Sequence, residues 1–116
     1  MDEIILKDIV DIVSGITKLP TESFYKNGRL TVKESESVFL CIYFANKYTR
    51  LEHTKLARYF RKKNHSSSIY ACKKVENLYD VDKKFREIFD TIDAQLKIYL
   101  SLSNYNPINF NSIPQL

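Results

Sequence analysis

The sequence predicts an all-helical domain of about five helices. Glycine occurs only twice and proline three times in 116 residues, and apolar residues recur at intervals of three and four along most of the chain. A chain of this length can bury one modest core without metals or disulfides. We therefore expect a single domain over residues 1–101, followed by an extended tail over residues 102–116.

The first helix is predicted from an apolar stripe. Gly15 and Pro20 are expected to bring this helix to an end, and a linker follows over residues 21–30. Residues that share the apolar face are Ile5, Ile9, Ile12, Val13 and Ile16.

The second helix is predicted to be the central one. Thr31 and Glu34 have the spacing of a capping box, in which each side chain satisfies a free backbone N–H at the helix start. From Val38 to Ala45 the sequence is apolar almost all round, as expected of a helix that others surround. We place this helix at about residues 31–49.

The third and fourth helices are expected to be separated by a tight turn. A short helix is predicted over about residues 52–61, with Leu56 and Phe60 facing inward. Asn64 is expected to start the next helix, which runs to about Leu78, because an asparagine oxygen readily accepts a free N–H of the first turn. The inner face of that helix is predicted to carry Ile69, Cys72, Val75 and Tyr79.

The fifth helix has the strongest helical period in the chain. Either Asp80 or Asp82 is expected to cap its start. Its apolar stripe is predicted to consist of Val81, Phe85, Ile88, Phe89, Ile92, Leu96 and Leu100. Beyond Ser101 the sequence has no periodicity, which is why we expect the tail to be extended.

Positive charge is concentrated in one segment. The formal net charge of the chain is +4, whereas residues 50–65 carry six cations against Glu52, a local net charge of +5. The six cations are Arg50, Lys55, Arg58, Arg61, Lys62 and Lys63. Because this charge surrounds a helix start with small polar side chains, the sequence favours a phosphate-bearing partner, and nucleic acid is the first to test.

Other classes of protein are not indicated. Cys41, Cys72, His53 and His65 lack the spacing of zinc ligands, so we expect neither a metal nor a cofactor. The serines at 66–68 lack a nucleophile-elbow motif and an evident base, so we expect no enzyme activity and no small-molecule substrate. The sequence contains no signal peptide and no membrane-spanning run, and its cysteines are typical of reduced thiols, so we expect a cytoplasmic protein without membrane contact.

Residues 60–75 resemble a known recognition motif. The C-terminal DNA-binding domain of the bacterial replication initiator DnaA carries the pattern F-G-G-R-D-H-T-T-V-L-H-A-x-R-K-I, and the ungapped segment of this chain reads FRKKNHSSSIYACKKV. Four residues are identical to the pattern: Phe60, His65, Ala71 and Lys74. The similarity is most specific over residues 52–79.

The resemblance implies a Trp-repressor-like helix-turn-helix whose second helix enters the major groove of double-stranded DNA. The positions that it implies for base reading are Asn64, His65, Ser66 and Ser67. The backbone contacts expected from the resemblance and from the flanking cations are His53, Thr54, Lys55, Arg61, Lys62, Lys63, Lys73 and Lys74. A basic loop before the central helix would reach the minor groove, a role for which this chain offers Arg29 and Lys33.

Departures from the family pattern alter these expectations. Arg61 and Lys62 replace two glycines, so the turn cannot keep the family's backbone if that backbone requires positive φ. Asn64 replaces an aspartate and can donate as well as accept, which suits adenine better than cytosine. Ser66 and Ser67 lack the methyl groups of the family's threonines, which can contact thymine, so sequence preference should differ from that of the family.

The sequence therefore predicts sequence-preferring binding of double-stranded DNA by an accessory or regulatory factor in replication or transcription, for example of a bacterium, a mobile element or a phage. The chain has no G-x-x-x-x-G-K-[ST] loop, so we expect neither ATP hydrolysis nor a complete initiator. The alternative is a protein-interaction module on the same scaffold that does not bind DNA. In that case the acidic start of the central helix and the apolar tail would engage a partner such as a replication protein.

Overall fold

The second predicted helix is the centre of the fold. The computed structural model describes residues 2–26 and 28–102, with side chains from residue 5 onwards. Its helices are α1 (Asp2–Thr17), α2 (Val32–Tyr48), α3 (His53–Tyr59), α4 (His65–Val81) and α5 (Lys83–Leu102). Helix α2 packs against α1, α3 and α4, and α5 packs on α1 and α4. The predicted all-α class with about five helices is confirmed, whereas the predicted tail lies, from residue 103, outside the described residues.

Helix α2 is buried on most sides because its middle carries apolar residues all round. Leu40, Ile42 and Phe44 are almost completely inaccessible to solvent. The Phe44 ring contacts the Phe89 ring of α5, with 4.7 Å between the ring centroids. Burying a side chain of this size contributes about 1.5–3 kcal/mol, so the apolar residues of α2 stabilise the core strongly.

The start of α2 is the predicted capping box. The Glu34 backbone N–H donates to Thr31 Oγ1 at 3.1 Å, and the Thr31 backbone N–H donates to Glu34 Oε1 at 3.0 Å. The Lys26 ammonium lies 3.0 Å from the same carboxylate. The amino end of α2 is therefore satisfied by groups of the chain itself.

The linker between α1 and α2 is more structured than the sequence predicts. Thr21–Tyr25 forms a 3₁₀ helix, in which Phe24 is buried in the core. The Tyr25 hydroxyl forms a hydrogen bond with the Tyr59 hydroxyl of α3 at 3.1 Å. These aromatic contacts hold the segment against the domain, which explains the departure from a plain linker.

A single residue, Asp82, joins α4 to α5. Its backbone N–H donates to the last turn of α4 at 2.9 Å, and its side chain accepts the Phe85 N–H at 3.0 Å. The predicted cap at Asp82 is therefore confirmed. Arg86 donates to the carbonyl oxygens of Tyr79 and Asp80 at 2.9 and 3.0 Å, which satisfies free acceptors at the end of α4.

Two residues predicted to lie in the core are exposed. Ile69 is 37% exposed, and Val81 is 81% exposed at the last residue of α4. Val75 is buried as predicted, together with Ser68 and Ala71, and the predicted Cys72 and Tyr79 are half-buried against the core. The strongly apolar Ile69 misled the prediction, because the true inner face begins with a polar residue and a small one.

The rest of the predicted α5 stripe is confirmed. Ile88 is half-buried, and the buried members are Phe85, Phe89, Ile92, Leu96 and Leu100. Exposed charged side chains such as Glu87 and Asp90 occupy the other face, so the helix is amphipathic. Within residues 2–26 and 28–102, no helix is both long and apolar enough to cross a membrane.

Candidate nucleic-acid interface

Helices α3 and α4 are consecutive and joined by a tight turn. Leu56 and Phe60 are buried as predicted and hold α3 on the core. Asn64 is the N-cap of α4, and its side-chain oxygen accepts the Ser66 backbone N–H at 3.0 Å. The predicted boundary between the two helices is therefore confirmed.

The turn between these helices closes with a Schellman motif. The Arg61 N–H donates to the Arg58 carbonyl at 3.1 Å, and the Lys62 N–H donates to the Ala57 carbonyl at 2.7 Å. Arg61 has φ of 59°, so the turn does contain a positive φ at a residue that replaces one of the family's glycines. A non-glycine residue reaches this region at a cost of about 1–2 kcal/mol, and the two hydrogen bonds hold it there.

The four residues expected to read bases lie together at the amino end of α4. Asn64, His65 and Ser66 are exposed, and Ser67 is half-buried. Because the Asn64 side-chain oxygen accepts the Ser66 N–H, the amide NH₂ is the part of this side chain that points away from the helix. The first turn of α4 contains no acidic residue. This end of the helix therefore presents donors without a carboxylate.

His53 and Ser68 connect α3 to α4. The Nδ1 atom of His53 lies 2.7 Å from Ser68 Oγ, and Ser68 is completely buried. From the sequence we expect no base beside the serines at 66–68, and this contact shows that expectation to be wrong for Ser68. The sequence does carry a signal for this contact. Ser68 precedes Ala71 by three residues and Val75 by seven, so its hydroxyl lies on the inner face of α4, where a buried hydroxyl needs a hydrogen-bond partner. The hydrogen bond between the half-buried His53 and the completely buried Ser68 joins α3 to α4.

The cations of residues 50–65 remain unneutralised within the described part of the chain. Lys62 is half-buried, and the exposed members are Arg50, Lys55, Arg58, Arg61 and Lys63. Thr54, beside Lys55 on the first turn of α3, is also exposed. The ion pairs among the described residues lie elsewhere: Lys26–Glu34, Lys47–Asp93 and Lys97–Asp93. The positive field predicted from the sequence is therefore open to solvent.

The remaining cations with a predicted DNA contact have different surroundings. Lys73 is exposed on α4, and Arg29 is exposed ahead of α2. Lys74 is half-buried near Glu36, where its charge opposes the rise that burial causes in the pKa of that carboxyl. Lys33 lines a separate cleft of about 580 Å³ against the end of α1. Lys73, Arg29 and Lys33 are thus the exposed members of this set, and Lys74 is the half-buried one.

A cleft of about 350 Å³ lies beside the amino end of α4. We call it the Tyr70 cleft. Phe39 of α2, Lys62 of the turn, and Ser66, Ser67 and Tyr70 of α4 line it. The Tyr70 and Phe39 rings meet edge to face, with 5.8 Å between centroids. Sequence reasoning missed this cleft because α2 and α4 approach each other only in the folded chain.

The fold and this surface define a class: a small all-helical protein in which a tight turn leads into a cationic, exposed helix end. Over 93 residues, 79% of this chain, it is 27% identical to the chromosomal replication initiator protein DnaA of Bacteroides fragilis and 26% identical to that of Bacteroides thetaiotaomicron. Over 59 residues, 51% of the chain, it is 30% identical to DnaA of Flavobacterium psychrophilum. No family model matches the chain.

The chain spans about a fifth of these relatives or less: the matched regions cover 19% of the two Bacteroides proteins and 12% of the Flavobacterium protein. The similarity therefore concerns one part of DnaA, and it supports a DnaA-like domain in this chain. The all-helical fold is consistent with a small helical domain of this kind.

Proposed function

We propose that this chain binds double-stranded DNA through its helix-turn-helix, with the amino end of α4 in the major groove. One observation carries the proposal: an exposed helix end without a carboxylate is surrounded by the unneutralised cations of residues 50–65. The free N–H groups and partial positive charge of a helix start attract phosphate, and neighbouring cations add counterion release. Similarity to DnaA supports DNA as the polyanion.

The residues of this surface divide into two roles. Lys63 and Arg61, exposed in the turn, contact phosphates and set the position of the domain on the duplex. His65 and Ser66, exposed on the first turn of α4, reach base edges through their ring nitrogens and hydroxyl. Phosphate contacts supply affinity, and base contacts supply sequence preference.

Asn64 reads a base as a hydrogen-bond donor. Because its oxygen serves the cap, its NH₂ group is directed to base acceptors such as N7 of a purine or O4 of thymine. Asn64→Asp keeps an excellent N-cap but removes the donor. We expect the variant to remain as stable as the wild type while its preferred site, selected from random duplexes, changes at one base pair.

The proposal assigns binding without catalysis, in an accessory or regulatory role in replication or transcription. Among the serines at 66–68, the one with an oriented histidine is Ser68, whose complete burial prevents attack on a substrate. The chemistry of the surface is that of recognition: cations, hydroxyls, an imidazole and an amide.

A salt titration of duplex binding tests the proposed function. The logarithm of the association constant should fall linearly with the logarithm of salt concentration, and Lys63→Ala should reduce the slope by about 1. Lys84→Ala, which removes an exposed cation at the start of α5, is the matched control and should leave the slope unchanged. Absence of duplex binding at low salt would overturn the proposal.

That negative result would favour the protein-interaction alternative. The acidic start of α2 offers such a partner less than the sequence suggests, because Glu34 is buried and bound by Lys26. Glu36, the next acidic residue, is half-buried. The other element of that alternative, the apolar tail, lies outside the described residues.

A further inference from the structure

We propose that the Tyr70 cleft binds a phosphodiester of the second DNA strand, with the adjoining deoxyribose against the Tyr70 ring. The inference rests on the proposed DNA binding and deepens it. It adds Phe39 and Tyr70 to the interface, and it moves Ser67 from base reading to backbone contact. The resemblance assigns no DNA contact to Phe39 or Tyr70.

The polar groups of the cleft all suit an anion. Lys62 supplies an ammonium, Ser67 and Tyr70 supply hydroxyls, and Ser66 lines the cleft beside them. No carboxylate lines the cleft, so nothing in it repels a phosphate. Lysine, serine and tyrosine side chains are common donors to phosphate oxygens in protein–DNA complexes.

Lys62 is a cation without an anion. It is half-buried, and no ion pair involves it among the described residues. Burial lowers the pKa of its ammonium below the usual value, because the charged form has lost part of its hydration. A phosphate in the cleft would restore the lost electrostatic stabilisation, and the pKa of Lys62 would rise again on DNA binding.

Tyr70 provides a fixed wall for the sugar. Its side chain is 56% exposed, yet the ring stands edge to face on Phe39, which itself packs against the core. Such an aromatic pair restricts the ring without covering it. The ring therefore offers an apolar surface of defined orientation next to the donors of the cleft.

The position of the cleft points to the second strand. Ser68 faces α3, whereas Tyr70, two residues later and about 200° further round the helix, faces Phe39 of α2. The start of α3 and the Tyr70 cleft thus lie on opposite flanks of α4. A helix in the major groove has one sugar–phosphate backbone on each flank, so the two features serve different strands.

Single methylphosphonate substitutions in the duplex test this inference. Each neutralises one phosphate, and binding of the wild type should weaken about three- to tenfold at positions on both strands. In Lys62→Ala and Tyr70→Phe, the loss at one second-strand phosphate should disappear, while the losses on the first strand persist. Tyr79→Phe and Lys84→Ala are matched controls that should reproduce the wild-type pattern.

Three other results would contradict either this inference or the proposed function. If both variants keep the full second-strand loss, the cleft does not bind phosphate and the inference is wrong, although DNA binding stands. If Tyr70→Phe changes the preferred base sequence instead of lowering affinity uniformly, Tyr70 reads a base and the inference is again wrong. If the wild type binds no duplex, the proposed function itself fails.

Discussion

The amino ends of α2 and α4 differ in whether the chain itself places an anion at the helix start. Each helix start has a partial positive charge that favours a nearby anion. In α2 the chain supplies that anion as Glu34, bonded to Thr31 and to Lys26. In α4 the cap is the neutral Asn64, and the first turn has no acidic residue. A helix end that is complete within the chain is structural, whereas one that lacks its anion is available to a ligand.

A carboxylate introduced at the amino end of α4 should have the largest effect, a loss of affinity for DNA. Ser67 occupies the position relative to Asn64 that Glu34 occupies relative to Thr31, so Ser67→Glu would build a capping box. We expect affinity for duplex DNA to fall about 100-fold at 0.1 M salt, because the new charge repels phosphate and occupies the helix end. Thermal stability should be unchanged or slightly higher.

The matched control for this variant is Ser67→Gln. Glutamine has the same length and also completes a capping box, but it carries no charge. Its affinity should fall much less than that of the glutamate variant. Equal losses in the two variants, or a loss of stability parallel to the loss of affinity, would contradict an electrostatic role for this helix end.

The second-largest effect is expected from loss of the His53–Ser68 hydrogen bond, which joins α3 to the start of α4. His53→Ala leaves the buried Ser68 hydroxyl without its partner, and we expect the free energy of unfolding to fall by about 1–3 kcal/mol. Ser68→Ala should be less harmful in the His53→Ala background than in the wild type, a coupling that urea denaturation of the four proteins measures. Thr54→Ala, at the exposed neighbouring residue, is the control. Strictly additive losses would show that the hydrogen bond contributes nothing.

A smaller effect is expected in the turn that carries the cations. Arg61→Gly removes a side chain from a residue with φ of 59° and should stabilise the fold by about 1 kcal/mol. The same change should weaken duplex binding, because one phosphate contact is lost. Arg61→Lys should leave both quantities close to wild type. A glycine variant that gains stability and keeps full affinity would exclude Arg61 from the interface.

The smallest effect is expected at the amino end of α2, where the contribution of Glu34 to stability should depend on pH. The Thr31 N–H and the Lys26 ammonium lower the pKa of Glu34 from 4.5 to about 2. Since the folded pKa is the lower one, the contribution of Glu34 to stability is complete above about pH 4.5 and is lost as the pH falls towards 2. The stability difference between wild type and Glu34→Gln should therefore shrink over that range. A difference that stays constant down to pH 2 would contradict this.

Local sequence patterns predicted the helix boundaries well. Thr31, Asn64 and Asp82 all cap as expected, because a cap depends on side chains within three residues of the helix start. The inner face of α4 was misjudged where Ser68 replaces an apolar residue, since its partner comes from another helix. The positive φ of Arg61 was not predictable from the residue type, because hydrogen bonds to α3 set it.

The candidate site was predictable in part for the same reason. The cluster of exposed polar and cationic residues at the start of α4 is contiguous in sequence and was visible there. The Tyr70 cleft was not, because Phe39 and Tyr70 belong to helices that meet only through tertiary packing. The partial desolvation of the Lys62 ammonium was not predictable either, because it depends on the surroundings of this side chain in the fold.

The single-residue joint at Asp82 makes the carboxyl half of the domain intolerant of insertions and deletions. Each residue added to a helix rotates the rest of that helix by about 100°. One extra residue at this junction would swing Leu96 and Leu100 out of the interior and bring charged side chains in. Natural length variation in this fold should therefore avoid the α4–α5 junction, and a fluorescent or affinity tag inserted there should abolish folding.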